Sequence, residues 1–288
     1  MPEIDLSKPA PRNHGSPKDA LEAIQAYPAV PRRGKLAVDR VAVHARCLEF
    51  GPGVDAMCDS CGCGDPEILP VHVHESLLAN NNHQAQHNRE HFQASQVLAL
   101  NIMGSPGCGK TALLEATAGR LGGERLRAMS GDLATDNDGT RLRAAGIPSL
   151  TITTGTACHL DARLVHRALH DLDWKAAEYL FIENVGNLVC PAIYDLGQAA
   201  NVVLLSVTEG EDKPIKYPVM FQRADLVIIT KVDLLPHLPG VKLENYVASL
   251  KRVNPNPRYM TLSSLSAQGM NDWVQWLQEQ KRQSVAAS

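Results

Sequence analysis

The sequence lacks a long hydrophobic run, an excess of either charge and any internal repeat. Its longest apolar stretches, around Val97–Met103 and Val202–Val207, are strand-sized and fall short of the roughly 18–20 residues that cross a bilayer. No membrane insertion is therefore expected. Lys and Arg number 28 against 31 Asp and Glu, a net charge of −3. That balance excludes the broad basic field of a general nucleic-acid binder. The first thirty residues carry five prolines with acidic side chains and no apolar stretch, so no secretory leader is predicted. The seven cysteines are accordingly expected in a reducing cytoplasm, where clustered thiols point to metal binding or redox chemistry before disulfides. At 288 residues the chain can bury an ordinary core without cross-links.

Seven of the 18 prolines fall in residues 1–56, which show no apolar period and are expected to be a disordered extension, with at most a short helix near Asp19–Ala26. Residues 57–96 hold a cysteine cluster and then a polar tract whose helix formers are interrupted by Asn80, Asn81 and Asn82. From 97 to 288 the texture changes. Strands are predicted at Val97–Met103, Leu126–Met129, Ser149–Thr154, Tyr179–Ile182, Asn201–Val207, Asp225–Thr230 and Tyr259–Leu262, and helical segments at Thr111–Leu121, Gly139–Ala145, Ala162–Leu169, Pro218–Arg223, Leu243–Arg252 and Met270–Arg282. Continuous apolar strands alternating with helices imply an α/β domain with a mostly parallel sheet covered on both faces.

Gly104-Ser105-Pro106-Gly107-Cys108-Gly109-Lys110-Thr111 follows a predicted strand and opens a helix. This is the G-x-x-x-x-G-K-[ST] phosphate loop in its proper context. Gly104, Gly107 and Gly109 let backbone N–H groups turn toward phosphate oxygens, Lys110 offers a positive charge and Thr111 a hydroxyl for Mg²⁺. Cys108 reads as a small filler. Glu183, at the end of an apolar strand and three residues before Gly186, is the candidate acid for Mg²⁺ and the γ-phosphate, with Asp132 as a second. Thr230-Lys231-Val232-Asp233 resembles the N-K-x-D guanine motif, Asp233 accepting from the base, and Ser264 lies where a further base loop is expected. A buried acceptor of this kind discriminates strongly, so GTP is favoured over ATP. Thr230 in the Asn position is expected to weaken support for the base and the loop without removing Asp233.

Cys58, Cys61 and Cys63 stand within six residues, beside Gly62 and Gly64. They can share one soft or borderline ion, or form a redox cluster. Cys158, His159 and Cys190 follow two predicted strands at the rim where parallel sheets gather ligands; they are either metal ligands or buried structural groups. Only seven positions separate Glu183 from Cys190, so a movement caused by the γ-phosphate would be felt at the thiol. His83, His87 and His91 recur every four residues, along one helix face, as a metal reserve or, preferably, a solvated polar face.

The phosphate loop, the run Phe181-Ile182-Glu183-Asn184-Val185-Gly186-Asn187-Leu188-Val189-Cys190, the segment Thr154-Gly155-Thr156-Ala157-Cys158-His159 and the Met57–Gly64 cluster together resemble the HypB family of hydrogenase nickel-incorporation GTPases, over Met57 to about Leu277. The resemblance implies a P-loop fold of the SIMIBI class, slow GTP hydrolysis and a homodimer promoted by GTP. It also implies a HypA-type metallochaperone partner and delivery of Ni²⁺ to the large subunit of [NiFe]-hydrogenase. By motif match, Cys58, Cys61 and Cys63 would be a tight nickel site, and Cys158, His159 and Cys190 a second site for Zn²⁺ or Ni²⁺. Relatives carry the first cluster directly after the initiator methionine, so Met57 is the expected natural start. A urease-type nickel GTPase is disfavoured by the adjacency of Cys158 and His159 and by the cysteine-rich segment. A storage or sensing protein with a regulatory nucleotide site is the alternative of another class.

Overall fold

Seven short apolar segments become seven parallel strands: β1 (Leu98–Gly104), β2 (Leu126–Asp132), β3 (Ser149–Thr153), β4 (Tyr179–Glu183), β5 (Ala200–Ser206), β6 (Leu226–Thr230) and β7 (Tyr259–Leu262). The computed structural model describes residues 68–132, 136–155 and 157–286, with side chains from residue 78 onward. Its sheet has the order β3-β2-β4-β1-β5-β6-β7, and every strand pair is parallel rather than mostly so. All carboxyl ends therefore share one edge, where ligands of open α/β sheets gather. Every predicted strand is found, with ends shifted by no more than a few residues.

Period-two alternation sends side chains of one strand to opposite faces. Leu98, Leu100 and Ile102 join a core with Leu113 and Leu114 of helix α2 (Lys110–Leu121) and Trp273 and Leu277 of a C-terminal helix at Met270–Ala286. Trp273 also donates its indole N–H to Thr117 Oγ1 at 2.9 Å. Ala99 faces the other side, with Leu180, Ile182 and Phe92. Between Ala99 and Met103, the fully buried Asn101 joins a line of amides: its Nδ2 donates to Asn201 Oδ1 at 3.1 Å and its Oδ1 accepts from Asn184 Nδ2 at 3.1 Å. Paired in this way, the amides avoid the penalty of unsatisfied buried polar groups.

The polar tract before β1 is one helix, α1 (Ile68–Ala94), and Asn80–Asn82 do not interrupt it. The reason is tertiary. Asn81, Ala85, Asn88 and Phe92 are buried along one stripe. Asn81 Nδ2 donates to the Asp195 carbonyl at 2.8 Å, while its Oδ1 accepts from the Ala162 N–H at 2.9 Å. Arg89 grips the Asp195 carboxylate with two bonds of 2.9 and 2.7 Å. The helix lies so close to Gly197, at φ +91°, that a Cβ there would sit 2.6 Å from the Ala85 carbonyl oxygen. A helix whose buried stripe is half amide has little apolar period to read. Residues 1–56, with the predicted short helix, and the Cys58–Cys63 cluster lie outside the described residues. Among the described residues no helix is long and apolar enough to cross a membrane.

Candidate nucleotide and metal site

The loop after β1 wraps tightly because its glycines take conformations other residues resist. Gly107 and Gly109 have φ of +75° and +101°, and at Gly104 a Cβ would lie 2.6 Å from Cys108 Sγ and 2.7 Å from the Leu204 carbonyl oxygen. Gly109 caps α2, so the helix N-terminus and its free N–H groups face the loop. Lys110 is buried and its ammonium donates to the carbonyls of Gly104 and Ser105 at 3.5 and 3.3 Å. Cys108 is fully buried, and burial pushes its thiol up to about 11 against the opposing charge of Lys110. It fills space, as expected.

The Thr111 hydroxyl lies 2.9 Å from Glu183 Oε1 and 2.8 Å from Asp138 Oδ1. One hydroxyl hydrogen cannot serve two ionised carboxylates. Glu183 is buried, its Oε2 has no hydrogen-bond partner among the described residues, and its pKa is raised to about 7. Burial is the main cause; the Asp138 charge adds to it, and Lys110 and Thr111 oppose it. Two crowded carboxylates, an orphaned oxygen and a hydroxyl form a hard oxygen donor set, which fits Mg²⁺. Asp138, in helix α3 (Asn137–Ala144), escaped sequence reading because no strand end or glycine motif marks it. Asp132 ends β2 on the same rim, its carbonyl accepting from the Thr154 N–H at 2.9 Å.

On the other side of the loop, Thr230 Oγ1 donates to the Cys108 carbonyl at 2.7 Å and Lys231 Nζ to the Gly107 carbonyl at 2.6 Å. The expected loss of support at Thr230 is thus not realised for the loop, since the shorter hydroxyl reaches it. Lys231 stands at φ +59° and leads into the 3₁₀ turn Val232–His237, where Asp233 is half-buried. Ser264, also half-buried, follows the fully buried Ser263 at the end of β7.

Cys158, His159 and Cys190 converge. Their ligand atoms all lie within 4.8 Å of one another, the only such group of three among the described residues. The two sulfurs are 2.9 Å apart, and Cys158 Sγ is 3.9 Å from His159 Nδ1. The topology explains the meeting. The strands β3 and β4 flank β2, so their carboxyl ends stand about 10 Å apart, a gap two short loops can close. The close Cys158 sulfur chiefly, with burial and then its charge, raises the Cys190 pKa; burial lowers that of His159, opposed by Asp161. The His159 ring stacks on Tyr194 at 4.0 Å. Two sulfurs and a largely neutral imidazole suit a borderline ion such as Zn²⁺ or Ni²⁺ rather than Mg²⁺. Of the predicted metal residues, this trio is brought together; Cys58, Cys61 and Cys63 lie outside the described residues.

The two halves are stitched by the segment from Glu183 to Cys190. Asn184 Oδ1 accepts from the Leu160 N–H at 3.1 Å, one residue past His159. Asn187 pairs with Gly104 in an isolated antiparallel bridge, and its Nδ2 donates to the Cys158 carbonyl at 3.3 Å. A Cβ on Gly186 would meet Pro106 at 2.8 Å, so the segment lies directly on the phosphate loop. The separation in sequence had suggested a covalent link alone; the two asparagines add a side-chain link.

Residues 98–260 match the nucleotide-binding domain of the CobW/HypB/UreG family. The chain is 46% identical over 235 residues to hydrogenase maturation factor HypB of Azotobacter vinelandii, spanning 81% of this chain and 76% of that one. With HypB of Escherichia coli K12 the identity is 43% over 235 residues, 81% and 80% of the two chains. Among solved structures, HypB from Helicobacter pylori in complex with nickel superposes with a TM-score of 0.68 at 38% identity, covering 72% of this chain and 97% of that one. HypB from Archaeoglobus fulgidus gives 0.66 at 40% identity, covering 71% and 100%. With its phosphate loop, its paired thiols and these relatives, the chain belongs to the CobW/HypB/UreG family, among the HypB hydrogenase maturation factors.

Proposed function

We propose that this protein is a GTP-hydrolysing nickel chaperone: it binds nickel and passes it to the [NiFe]-hydrogenase large subunit, and its GTP state governs dimerisation and metal transfer. The observation that carries the reading is Asn187, which touches the phosphate loop through its backbone and the Cys158 carbonyl through its side chain. A nucleotide that reshapes the Glu183–Gly186 turn would thereby alter the thiol pair.

In this reading the loop N–H groups and Lys110 stabilise charge on the transferring phosphoryl group. Thr111, Glu183 and Asp138, with Asp132 on the same rim, would hold Mg²⁺, which neutralises phosphate charge when bound. Gly104, Gly107, Cys108 and Gly109 form the cradle, and Asp233, Lys231 and Ser264 select guanine. Cys158, His159 and Cys190 take the cargo ion, with Cys58, Cys61 and Cys63 as a tighter store. A GTP-bound dimer is supported by exposed apolar side chains: Val189, next to Cys190, at 53%, with Ile215 at 38% and Val219 at 37%. Val189 borders a cleft of about 500 Å³ with Ser105, Lys213 and Tyr217. A HypA-type protein is the proposed nickel donor, and the cytoplasm the proposed compartment.

The test is nickel affinity of the magnesium-loaded protein with GDP and with a non-hydrolysable GTP analogue. The expected result is a difference of about fivefold or more, the lower end of ordinary coupling free energies; equal affinities would overturn the coupling.

A further inference from the structure

Histidines outside the phosphate loop and thiol pair gather where α1 meets helix α4 (Ala162–Asp171). His83 and His87 stand edge to face with ring centroids 4.8 Å apart. His91 stacks on His166 at 5.8 Å, and His166 meets His170 edge-on at 5.2 Å. Each helix contributes residues spaced by four, which places them on one face. Two imidazoles on a single tetrahedral ion, with metal–nitrogen bonds of 2.0–2.1 Å, have ring centroids about 5 Å apart. The spacings within the trio of His91, His166 and His170, 5.8 and 5.2 Å, are close to and slightly wider than that value. Their nitrogens do not already converge as the ligand atoms of the thiol pair and His159 do, so a shared ion requires the exposed His91 and His170 rings to turn toward it.

A second observation comes from beneath the cluster. Asn88 is fully buried, and its Nδ2 donates to the carbonyls of Ala162 at 2.8 Å and Leu196 at 3.1 Å. Both amide hydrogens are thereby used, and the remaining oxygen lies 3.0 Å from His166 Nδ1. An acceptor in that position keeps the ring hydrogen on Nδ1 and leaves the Nε2 lone pair free, the arrangement by which metal-binding histidines are oriented. Burial, with the neighbouring His170, His91 and His87, lowers the His166 pKa and favours the neutral ring a metal requires.

We propose that His91, His166 and His170 form a further metal site, with His87 beside them, for a late first-row divalent cation. Imidazole nitrogens without carboxylates suit Ni²⁺, Zn²⁺ or Cu²⁺ and not Mg²⁺ or Ca²⁺. The site is at the surface and has no thiolate, so its ion exchanges more freely than one held by cysteines. It does not rest on the nucleotide reading, since none of its residues belongs to the phosphate loop or the thiol pair.

The test uses the full chain with Cys58, Cys61, Cys63, Cys158 and Cys190 changed to Ser, and Ni²⁺ as the probe. Equilibrium dialysis should find one Ni²⁺ per chain, and the paramagnetic ion should broaden the ring-proton signals of His91, His166 and His170. Adding His91→Gln and His170→Gln, both exposed and so harmless to folding, should weaken binding by about tenfold or more. Unchanged nickel affinity in that variant would overturn the proposal, as would broadening confined to other histidines. Nitrogen chemical shifts of the metal-free protein should show the hydrogen of His166 on Nδ1; finding it on Nε2 would overturn the orienting role of Asn88.

Discussion

The phosphate loop and the thiol pair lie on one rim of one sheet, yet they are built in opposite ways. The loop is local: eight consecutive residues, shaped by Gly104, Gly107 and Gly109 and capped by α2. The thiol pair joins residues 32 positions apart, Cys158 and Cys190, and is steadied by Asn184 and Asn187. A local site tolerates losses around it because its shape comes from its own backbone. An assembled site depends on every contact that aligns its pieces, which also makes it responsive to its neighbour.

The sharpest way to separate the two is Lys110→Ala. GTP hydrolysis should fall by about 100-fold or more, the usual cost of removing a group that stabilises developing charge, and hydrogenase maturation should stop. Nickel binding at the thiols, followed by thiolate-to-nickel charge-transfer absorption, should persist. Retained maturation would support a storage role instead.

Glu183→Gln probes the seam between the halves. An acid whose pKa is raised in the fold stabilises it below its unfolded value, near 4.5, and loses that contribution as pH climbs through about 7. The magnesium- and nucleotide-free variant should therefore be more stable than the parent at pH 8, by up to about 3 kcal/mol. The gain should fade as pH falls toward 4.5. Urea titrations at several pH values measure this, and magnesium-dependent GTP turnover should drop in the same variant.

Asn187→Ala leaves every thiol and imidazole in place but removes the side-chain links of Asn187 to the Cys158 carbonyl, to Cys190 and to the Val189 N–H. The difference in nickel affinity between GDP and GTP-analogue states should shrink severalfold, while GTP affinity of the nickel-free protein stays within about twofold, because Asn187 meets the phosphate loop through its backbone, which alanine keeps. The smallest effect is expected from Thr230→Val, which leaves the Cys108 carbonyl without its donor. The cost is about 1 kcal/mol in stability, read by thermal unfolding, and Thr230→Ser should restore it.

The strands were legible because each is a run of apolar residues buried on both faces, and Glu183 because it ends one. Asp138 was not legible, since nothing near it in the chain marks it; it matters because α3 folds back toward Thr111. Helix α1 was obscured by Asn81 and Asn88, whose amides satisfy backbone groups of distant segments and substitute for apolar side chains. His83, His87 and His91 read as a solvated polar face from the sequence, which could not show that α4 sets His166 against His91. The matching spacing of four in His166-Arg167-Ala168-Leu169-His170 is the sequence feature behind the proposed cluster.

By itself the sequence determined the parallel α/β sheet, the phosphate loop and the acid at the end of β4, because each depends on backbone conformation and burial within a few consecutive residues. The tertiary structure alone decided that Cys158 meets Cys190, that Asp138 shares the Thr111 hydroxyl with Glu183, and that α1 is docked on the domain. Those contacts arise from strand order, which sets loops distant in the chain about 10 Å apart, and from buried amides whose partners are known only once the chain has closed on itself.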